Sequence, residues 1–400
     1  MIFLSGKLFM KLIHTADWHL GKIFNNISLL DQQKYCLEQL VRLIEQEKPD
    51  FVLIAGDIYD RAVPPAEAVR LLDEVLHSIV VQLKTPVLAI AGNHDSPERI
   101  GYCQSILQRQ GLHIFGELKL PLEPLIHQDQ WGSVYLYAFP YTDPENLAYL
   151  LQSYQPEKQH NIQTHQDVAD FVVRQIAEQR QPTDRIVLVG HLFVKNGTET
   201  KDSERVLREV GGASQVAAEV FAAIDYTALG HLHRPQEFAG GKVRYSGSLM
   251  KYSFAEHDQP KSTTIVELRA KGQCQITEVP MFAQQDFRRV EGYIENATFH
   301  LAEGYQANPQ DFLEVTLCNS EVVLNAMSIV QSRFPNALRL LLKYAQNPQT
   351  STQLSANEVS NMDELKLFET FYERIHQNEL PAEARTLLSN LIKKARQDQP

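Results

Sequence analysis

Short runs of apolar and β-branched residues, each ending in a polar residue or a glycine, recur along the first half of the chain. Five runs carry the pattern most clearly: KLIHTAD, PDFVLIAGD, TPVLAIAGNHD, DRIVLVGH and DYTALGH. Such runs are typical of strands buried on both faces of a parallel sheet. Residues 29–47 and 65–83 read as amphipathic helices, because apolar residues such as Leu37, Leu40 and Ile44 recur at helical spacing. The pattern predicts a layered α/β domain.

The pattern changes from residue 242 onwards. Segments up to residue 282 indicate strands joined by a Lys-Gly turn, and residues 284–345 predict the order strand, strand, helix, strand of a small α+β unit. A polar stretch rich in Gln, Ser, Asn and Thr follows, and this composition is typical of a linker. Near the end, apolar residues recur every three or four positions and Pro381 opens a second helix.

We therefore expect four parts. Residues 10–282 form the main α/β domain, residues 283–346 a small α+β capping domain, residues 347–360 a linker, and residues 361–400 a C-terminal helical segment. The first clean strand-like segment begins at Met10, which leaves open whether residues 1–9 are native.

Composition narrows the class of protein. With 400 residues, 44% of them hydrophobic, the chain can bury a large core. No apolar run approaches the roughly 18 to 20 residues of a membrane span, and the opening residues do not resemble a signal peptide, so we expect a cytoplasmic protein. The net charge of -11 argues against a generally basic nucleic-acid-coating protein but leaves room for a local basic groove. The four scattered cysteines suggest reduced thiols rather than disulfides or a zinc ribbon.

Polar side chains with metal-binding chemistry follow the predicted strands. They are Asp17 and His19, Asp57 and Asp60, Asn93, His94 and Asp95, His191, and finally His231 and His233. In open α/β sheets, ligands bind beyond the carboxyl ends of the strands, where loops from separate strands converge. Asp, Asn and His donors suit Mn, Fe or Zn. Because one ion needs four to six ligands, the set is large enough for two ions.

Each of these residues has an ordinary alternative. A single histidine such as His231 is most often a hydrogen-bonded or surface residue, whereas the whole ordered set is hard to explain by packing. Asp60 either supports the site or caps the following turn, and Asp95 is expected to brace its loop. Trp18 is expected to pack beneath the site. No G-K pair has the glycine and Ser/Thr of a P-loop, so we expect no ATP site in this chain, and there is no G-x-S-x-G nucleophile elbow.

The five segments D-x-H, G-D-x-x-D, G-N-H-D, G-H and G-H-x-H, in this order, resemble the calcineurin-like metallophosphoesterase family. The resemblance implies a layered β-sandwich flanked by helices and two divalent metal ions. It implies one ion held by Asp17, His19, Asp57 and His233, and a second held by Asp57, Asn93, His191 and His231. His94 would be a catalytic residue that binds no metal, acting as a general acid or stabilising the transition state. Alternate residues of an extended segment point to opposite sides, which would let His231 and His233 address different ions.

Longer segments resemble the SbcD family of bacterial nuclease subunits. They are HTADWHLGK, GDIYDRAVPP, AGNHDSPER, DYTALGHLHRPQ and VRYSGSLMKYSFAE, and all of them lie within residues 12–256. The resemblance implies Mn²⁺-dependent hydrolysis of DNA, as a 3′ to 5′ exonuclease on duplex ends and an endonuclease on single strands or hairpins, in repair and recombination. It implies a partner ATPase of the SMC-like SbcC type, with the nuclease as a homodimer in a heterotetramer at the nucleoid. Relatives from archaea and eukaryotes usually carry histidine in place of Asp60, so its role stays open.

Two sets of surface residues follow from this resemblance. A partner-binding face would be formed by Leu365, Phe368, Phe371, Tyr372, Ile375 and Leu387; the alternative is that these helices pack on their own domain. Basic residues beside the metal motifs could meet DNA phosphates or could simply be solvated, namely Lys22, Arg61, Arg99, Lys195, Arg234 and Lys251.

Two other functions remain open. One is a nucleotidase or phosphoprotein phosphatase of the same fold. The other is a non-catalytic scaffold, which the presence of all seven ligand residues and His94 disfavours.

Overall fold

The computed structural model describes residues 2–4, 8–158, 160–200, 214–343, 363–376 and 378–397. The strands are β1 Ile2–Leu4, β2 Met10–Thr15, β3 Ile23–Phe24, β4 Ile27–Ser28, β5 Phe51–Ala55, β6 Val87–Ile90, β7 Leu112–Phe115, β8 Leu125–Asp129, β9 Gly132–Phe139, β10 Arg185–His191, β11 Phe193–Val194, β12 Gln215–Val216, β13 Tyr226–Gly230, β14 Gln236–Phe238, β15 Val243–Tyr245, β16 Lys261–Leu268, β17 Cys274–Met281, β18 Phe287–Glu295, β19 Thr298–Leu301, β20 Phe312–Leu317 and β21 Ala337–Leu342. The helices are α1 Leu30–Glu47, α2 Ala66–Leu76, α3 Pro97–Ile100, α4 Gln104–Leu107, α5 Pro144–Tyr154, α6 His165–Gln179, α7 Ala326–Arg333, α8 Glu364–His376 and α9 Ala382–Gln397.

The chain divides into two compact units. The first comprises Met1–Arg289 and Asn308–Leu313, and the second comprises Val290–Ala307 and Glu314–Pro400. The linker predicted at residues 347–360 lies outside the described residues. The four-part division of the chain stays a prediction.

The first sheet of the first unit has six strands in the order β17-β16-β2-β5-β6-β7. Strands β2, β5, β6 and β7 run parallel, whereas β16 pairs with β2 in antiparallel fashion. Every side chain of β5, whose sequence is FVLIA, is buried, as expected for a central parallel strand. Because these strands are parallel, their carboxyl ends lie along one edge of the sheet.

The second sheet has seven strands in the order β1-β8-β9-β10-β13-β15-β14. Its central strands β9, β10, β13 and β15 are parallel. Strand β8 runs antiparallel to β9 and parallel to β1, and β14 runs antiparallel to β15. All seven residues of β10, RIVLVGH, are buried. The carboxyl ends of β10 and β13 are neighbours, since His191 pairs in register with Gly230.

The two sheets face each other across an apolar core. Phe51 and Leu53 of β5 belong to the same buried cluster as Val187 and Val189 of β10 and Ala228 of β13. The other face of the seven-stranded sheet is covered by α5 and α6, because their apolar side chains share a second cluster with residues of β9 and β10. The first unit is therefore a β-sandwich flanked by helices, the layered α/β arrangement that the apolar runs predicted.

Helices α1 and α2 match the two amphipathic segments. Helix α1 buries Cys36, Leu37, Leu40 and Ile44, while α2 begins after Pro65 and continues into a π-helical turn at His77–Gln82. None of the described helices is both long enough and apolar enough to span a membrane.

The second unit carries most of a four-stranded sheet in the order β19-β18-β20-β21 and the helix α7, which contacts β19 and β21. Strands β18, β20 and β21 and helix α7 occupy the segments in which the sequence predicts strand, strand, helix, strand, whereas β19 was not predicted. Helices α8 and α9 contact each other, and Arg385 Nε lies 2.5 Å from Glu369 Oε1. Helix α9 begins one residue after Pro381, where the sequence predicts its start.

Candidate metal centre

Both sheets contribute to one cluster of polar side chains. Asp17, His19, Asp57 and Asn93 follow strands of the six-stranded sheet, whereas His191, His231 and His233 end or follow strands of the seven-stranded sheet. Six of these side chains are buried, and Asn93 is half-buried. The sandwich therefore brings together all seven residues that the sequence singled out as metal ligands.

One half of the cluster brings together residues from the first motif, D-x-H, and the last motif, G-H-x-H. Asp17, His19 and His233 offer ligand atoms within 4.8 Å of one another. His19 Nε2 lies 3.0 Å from His233 Nε2 and 3.6 Å from Asp57 Oδ2. This half corresponds to the first predicted ligand set.

The other half is centred on Asn93. Its Oδ1 lies 3.0 Å from His191 Nε2 and 3.1 Å from His231 Nδ1. Asp57 Oδ2 lies 3.5 Å from His191 Nε2, so the Asp57 carboxylate is close to histidines of both halves. That position fits the bridging role that the family resemblance implies.

The hydrogen bonds of the imidazoles leave inward-facing nitrogens that fit a cation. His191 Nδ1 lies 2.8 Å from the Ala55 carbonyl oxygen and must donate to it, because a carbonyl can only accept. In the neutral ring, Nε2 is then a lone pair facing the oxygens of Asn93 and Asp57. Positive charge between these groups can come from a proton on Nε2 in the metal-free protein or from a divalent metal ion that takes its place. His, Asp and Asn donors are of the type that Mn, Fe or Zn accept.

The pKa values of the carboxyls respond to burial and to one another. Burial raises the pKa of Asp17 to about 7, with the neighbouring Asp57 adding to the effect, although His191 and His233 oppose it. Burial also acts to raise the pKa of Asp57, but His191 and His19 hold it well below its usual value. Two buried carboxylates can both ionise at neutral pH only if added positive charge compensates them.

The pKa values of the histidines diverge. Burial lowers the pKa of His231 to about 3 and that of His19 well below its usual value. Burial also acts to lower the pKa of His191, but Asp57 and Asp17 raise it to about 9. His19 and His231 are therefore neutral and can offer a lone pair, which is the form that binds a metal.

The backbone at four of the candidate ligands is left-handed. Asp17, His19, Asp57 and His231 have φ values of 53°, 44°, 49° and 111°. For residues other than glycine such conformations are strained, and they persist only where the surroundings enforce them. Backbone hydrogen bonds from Asp17 N to Gly56 O and from His19 N to Asp57 O help to do so.

Two side chains that the sequence analysis missed hold the Asp17–His19 loop. Gln33 of α1 donates to the carbonyls of Trp18 and His19 at 3.0 and 2.7 Å, and it accepts from Gly21 N. Tyr252 also donates to the Trp18 carbonyl. A signal existed for Gln33, because it lies four residues before Leu37 and thus on the buried face of α1.

Glycines before the ligands make space for them. A Cβ at Gly56 would lie 2.3 Å from His191 Nδ1, and one at Gly92 would lie 2.2 Å from Asp57 Oδ1. The G-D and G-N-H parts of the motifs therefore have a steric cause: the glycine backbone of one strand end touches the ligand of another.

His94 is half-buried beside the ligands. Its backbone N–H donates to Asp57 Oδ1 at 2.8 Å, and its Nδ1 lies 2.8 Å from the Asp60 carbonyl oxygen. The ring meets His19 edge to face, with centroids 4.7 Å apart. Because Nδ1 must be the donor to the carbonyl, Nε2 is the nitrogen left to act on another molecule.

The neighbouring acids and Trp18 have other partners. Asp95 accepts hydrogen bonds from the backbone N–H groups of Gly92, Ile58 and Tyr59, so it braces the loop. Asp60 Oδ1 lies 2.9 Å from Lys22 Nζ and 3.6 Å from His19 Nδ1. Trp18 is fully buried and donates to Thr15 Oγ1.

The basic residues named as DNA-contact candidates fall into two groups. Lys22, Arg234 and Lys251 form ion pairs with Asp60, Asp258 and Asp286, at 2.9, 3.1 and 2.9 Å. The other three are exposed, namely Arg61, Arg99 and Lys195. Exposure makes the second group the more available to a phosphate.

The partner-binding candidates lie on the two C-terminal helices of the second unit. Phe368, Phe371 and Leu387 are 43%, 59% and 63% exposed, whereas Leu365 and Tyr372 are half-buried. Ile375 lies in α8, but its side chain is outside the described part of the structure.

Comparisons with known proteins identify the family of the chain. The calcineurin-like phosphoesterase family matches residues 10–235, and a domain described as the type 5 capsule protein repressor C-terminal domain matches residues 283–376. The SbcD subunit of the nuclease SbcCD from Staphylococcus epidermidis is 31% identical over 375 residues, covering 93% of this chain and 95% of that protein.

Two solved structures also align with the chain. The protein TT1561 of Thermus thermophilus aligns at 11% identity with a TM-score of 0.38, over 68% of this chain and 99% of that chain. A dimetal phosphatase from Danio rerio aligns at 12% identity with a TM-score of 0.39, over 70% of this chain and 98% of that chain.

The family match spans more than half of the chain and includes all seven candidate ligands. The similarity to the staphylococcal protein extends over nearly the whole of both chains. The fold class predicted from the five motifs is confirmed. The chain belongs to the calcineurin-like phosphoesterase family, in its SbcD branch.

Proposed function

We propose that this chain is a metal-dependent DNA nuclease that hydrolyses phosphodiesters at the two-part cluster. The convergence of seven metal-binding side chains beside His94 is the observation that carries the proposal. The similarity to a protein named as the SbcD subunit of a nuclease supports DNA as the substrate. We further propose, from the resemblance of the sequence segments to the SbcD family, that the chain works at the nucleoid as a 3′ to 5′ exonuclease on duplex ends and an endonuclease on single strands or hairpins.

The residues divide between two metal ions, which we propose are Mn²⁺. Asp17, His19 and His233 would hold one ion, Asn93, His191 and His231 would hold the other, and Asp57 would serve both. When bound, such a pair of ions activates the attacking water and stabilises charge on the phosphoryl oxygens. The ligand set contains only two carboxylates, so the loaded site carries net positive charge and attracts a phosphodiester.

His94 acts on the leaving group. The Asp60 carbonyl fixes the ring through Nδ1, and the backbone N–H of His94 is tied to Asp57. The ring is thereby held beside the bridging carboxylate with Nε2 available. We propose that Nε2 donates a proton or a hydrogen bond to the departing oxygen of the DNA strand, a contribution that is typically worth about 10²- to 10⁴-fold in rate.

The test compares wild type with His94→Ala on labelled duplex DNA with Mn²⁺, with metal content measured by mass spectrometry. We expect cleavage to fall about 10²- to 10⁴-fold while two ions per chain remain bound. His77→Ala, at the end of α2, is the matched control and should cleave as wild type.

Substrate panels separate this proposal from its rivals. Hairpin DNA, single-stranded DNA, a mononucleotide and a phosphopeptide are offered at equal concentration. Hydrolysis of only the mononucleotide or the phosphopeptide would make the chain a nucleotidase or a phosphatase. Two bound ions with no hydrolysis of any substrate would make it a scaffold.

Exposed basic residues beside the site are proposed to contact DNA phosphates. Lys195→Ala should weaken DNA binding and reduce the dependence of log K on log salt by about 0.9, the value for one phosphate contact. Unchanged affinity and an unchanged slope would remove Lys195 from the DNA footprint.

We propose that α8 and α9 bind an SMC-like ATPase of the SbcC type, with two nuclease chains in a heterotetramer. The apolar side chains Phe368, Phe371 and Leu387 are exposed on these helices, and an amphipathic helix commonly docks into a partner's groove in this way. The paired ATPase would supply the ATP site for which this sequence has no P-loop motif.

Deleting residues 361–400 tests the partner proposal. Co-purification with the ATPase should be lost while metal-dependent nuclease activity is retained. Phe368→Ala with Phe371→Ala should have the same effect, and Tyr149→Ala, at an exposed aromatic residue of α5, should not. Undiminished co-purification of the truncated chain would show that the helices serve their own domain.

A further inference from the structure

His233 is the candidate ligand with the most elaborate support outside the cluster. Its Nε2 faces inward, 3.0 Å from His19 Nε2. Its Nδ1 faces outward and lies 3.0 Å from Glu256 Oε1. A histidine that offers Nε2 to a metal must carry its proton on Nδ1, so the Nδ1–H group donates to the Glu256 carboxylate.

Glu256 is itself held in place. The side chain is fully buried, and its second oxygen, Oε2, lies 2.6 Å from Lys261 Nζ. Lys261 also donates to the His233 carbonyl at 2.8 Å, to Ser248 Oγ at 2.9 Å and to Gln259 Oε1 at 3.0 Å. The lysine therefore fixes both the carboxylate and the main chain of the histidine that the carboxylate contacts.

The other candidate histidines are supported differently. His191 Nδ1 bonds to a neutral backbone carbonyl. His19 Nδ1 is 3.6 Å from the nearest oxygen of Asp60, which is beyond a normal hydrogen bond. Within the described part of the chain, His233 is the one candidate histidine ligand with a carboxylate oxygen at hydrogen-bond distance from its outward-facing nitrogen.

We propose that Glu256, anchored by Lys261, is a positioning residue that sets the affinity of one of the two metal ions. A carboxylate on the outer nitrogen of a ligand histidine fixes its tautomer and ring orientation and makes the inner nitrogen a stronger donor. The effect falls on the ion that His233 holds with Asp17, His19 and Asp57. The inference rests on the proposed two-metal function and assigns a role that lies outside the five short motifs of the candidate metal ligands.

The test is calorimetric titration of metal-free protein with Mn²⁺. Wild type should bind two ions. Glu256→Ala should weaken one of the two sites by about 10- to 100-fold and leave the other unchanged. His233→Ala, which removes the ligand itself, identifies that site, and both variants should weaken the same one.

A conservative variant separates positioning from general structure. Glu256→Gln keeps an oxygen that accepts from His233 Nδ1 but loses the charge, so its affinity should lie between those of wild type and Glu256→Ala. Lys261 keeps three other acceptors in this variant. If the ammonium nevertheless destabilises the fold, Glu256→Gln and Glu256→Ala are compared with Lys261→Met in both, so that neither chain carries the buried charge.

Ser253→Ala is the matched control. Ser253 Oγ accepts from Ala255 N at the start of the same helical turn, and the variant leaves the carboxylate in place. It should bind both ions as wild type does, and thermal unfolding of every metal-free variant checks the fold.

Three results would overturn the inference. Glu256→Ala could bind Mn²⁺ at both sites with wild-type affinity, it could weaken both sites equally, or Glu256→Gln could bind Mn²⁺ no more tightly than Glu256→Ala. Fewer than two ions bound by wild type would instead refute the proposed function, and the inference with it.

Discussion

His14 shows, at the scale of a single residue, how a buried titratable group outside the metal cluster is kept neutral. Its Nδ1 lies 2.8 Å from the Tyr226 hydroxyl and its Nε2 lies 3.2 Å from the Leu229 carbonyl oxygen. Burial, assisted by the positive charge of Arg244, lowers the pKa of His14 to about 3. The sequence did not single it out, since a lone histidine in an apolar run has no distinguishing pattern.

This pKa predicts a dependence of stability on pH. The unfolded chain binds a proton at His14 near pH 6.5, and the folded chain does so only near pH 3. Protonation of His14 therefore favours unfolding. The contribution of neutral His14 to the free energy of unfolding is fully present above pH 6.5 and is lost as the pH falls towards 3. Between pH 7 and pH 5 the loss is about 2 kcal/mol, from 1.36 kcal/mol per pKa unit.

Urea unfolding of metal-free wild type and His14→Gln across this range measures the effect. Glutamine can replace the donor and the acceptor but does not titrate, so its stability should fall less steeply with acid. At pH 7.5 His14 is neutral in both states, so the difference in the free energy of unfolding between the two proteins at this pH measures the effect of the substitution on packing, which does not depend on pH. Parallel curves down to pH 5 would show that His14 does not cause the loss.

At the scale of elements, the sequence located the strand ends because apolar runs terminate in polar residues there. It could not place the supporting side chains. Gln33 and Glu256 reach the site from a helix and from a short turn, and their partners Trp18 and His233 lie 15 and 23 positions away in the chain. No local period links such pairs, so only the folded chain reveals them.

The contact between β13 and β5 gives an element-scale prediction. A Cβ at Gly230 would lie 1.9 Å from the Ala55 carbonyl oxygen, the same atom that accepts from His191 Nδ1. Gly230→Ala should therefore push the two sheets apart at the site and destabilise the fold by about 1–3 kcal/mol or more, as overpacked cores do.

Gly190→Ala, at the end of β10, is the matched control. Its Cβ would lie 3.2 Å from the tip of the flexible Leu229 side chain and 3.7 Å from the side chains of Leu192 and Phe139, and it would meet no backbone atom this closely. Urea unfolding should show a clearly smaller loss than for Gly230→Ala. Equal losses would mean that the inter-sheet contact is not what the first substitution disturbs.

For the whole molecule, the proposed ligands follow strands of two sheets, so a bound metal ion would join the two layers. Ions that bind only the folded chain stabilise it by mass action, by about 2.7 kcal/mol at a free concentration 100 times the Kd. We therefore expect Mn²⁺ to raise the Tm of wild type and a chelator to reverse the rise. Asp57→Ala, which removes the carboxylate close to both halves, should abolish most of the shift.

Differential scanning calorimetry with and without Mn²⁺ measures this. Asp95→Ala is a useful comparison, because it removes a loop brace and no proposed ligand; it should lower the Tm and still respond to Mn²⁺. If the Tm of wild type does not change when Mn²⁺ is added, that result would contradict a cation site at the cluster.

The pairing of β16 with β2 also sets the order in which the protein can mature on the ribosome. β2 precedes Asp17 and His19, yet its antiparallel partner β16 begins at Lys261, almost 250 residues later. The last proposed ligand is His233, and the lysine that anchors its partner Glu256 is the first residue of β16. A nascent chain in which β16 has not yet been synthesised lacks part of the support for the proposed metal site. A fragment from interrupted synthesis would therefore carry most of the motifs without being a working enzyme.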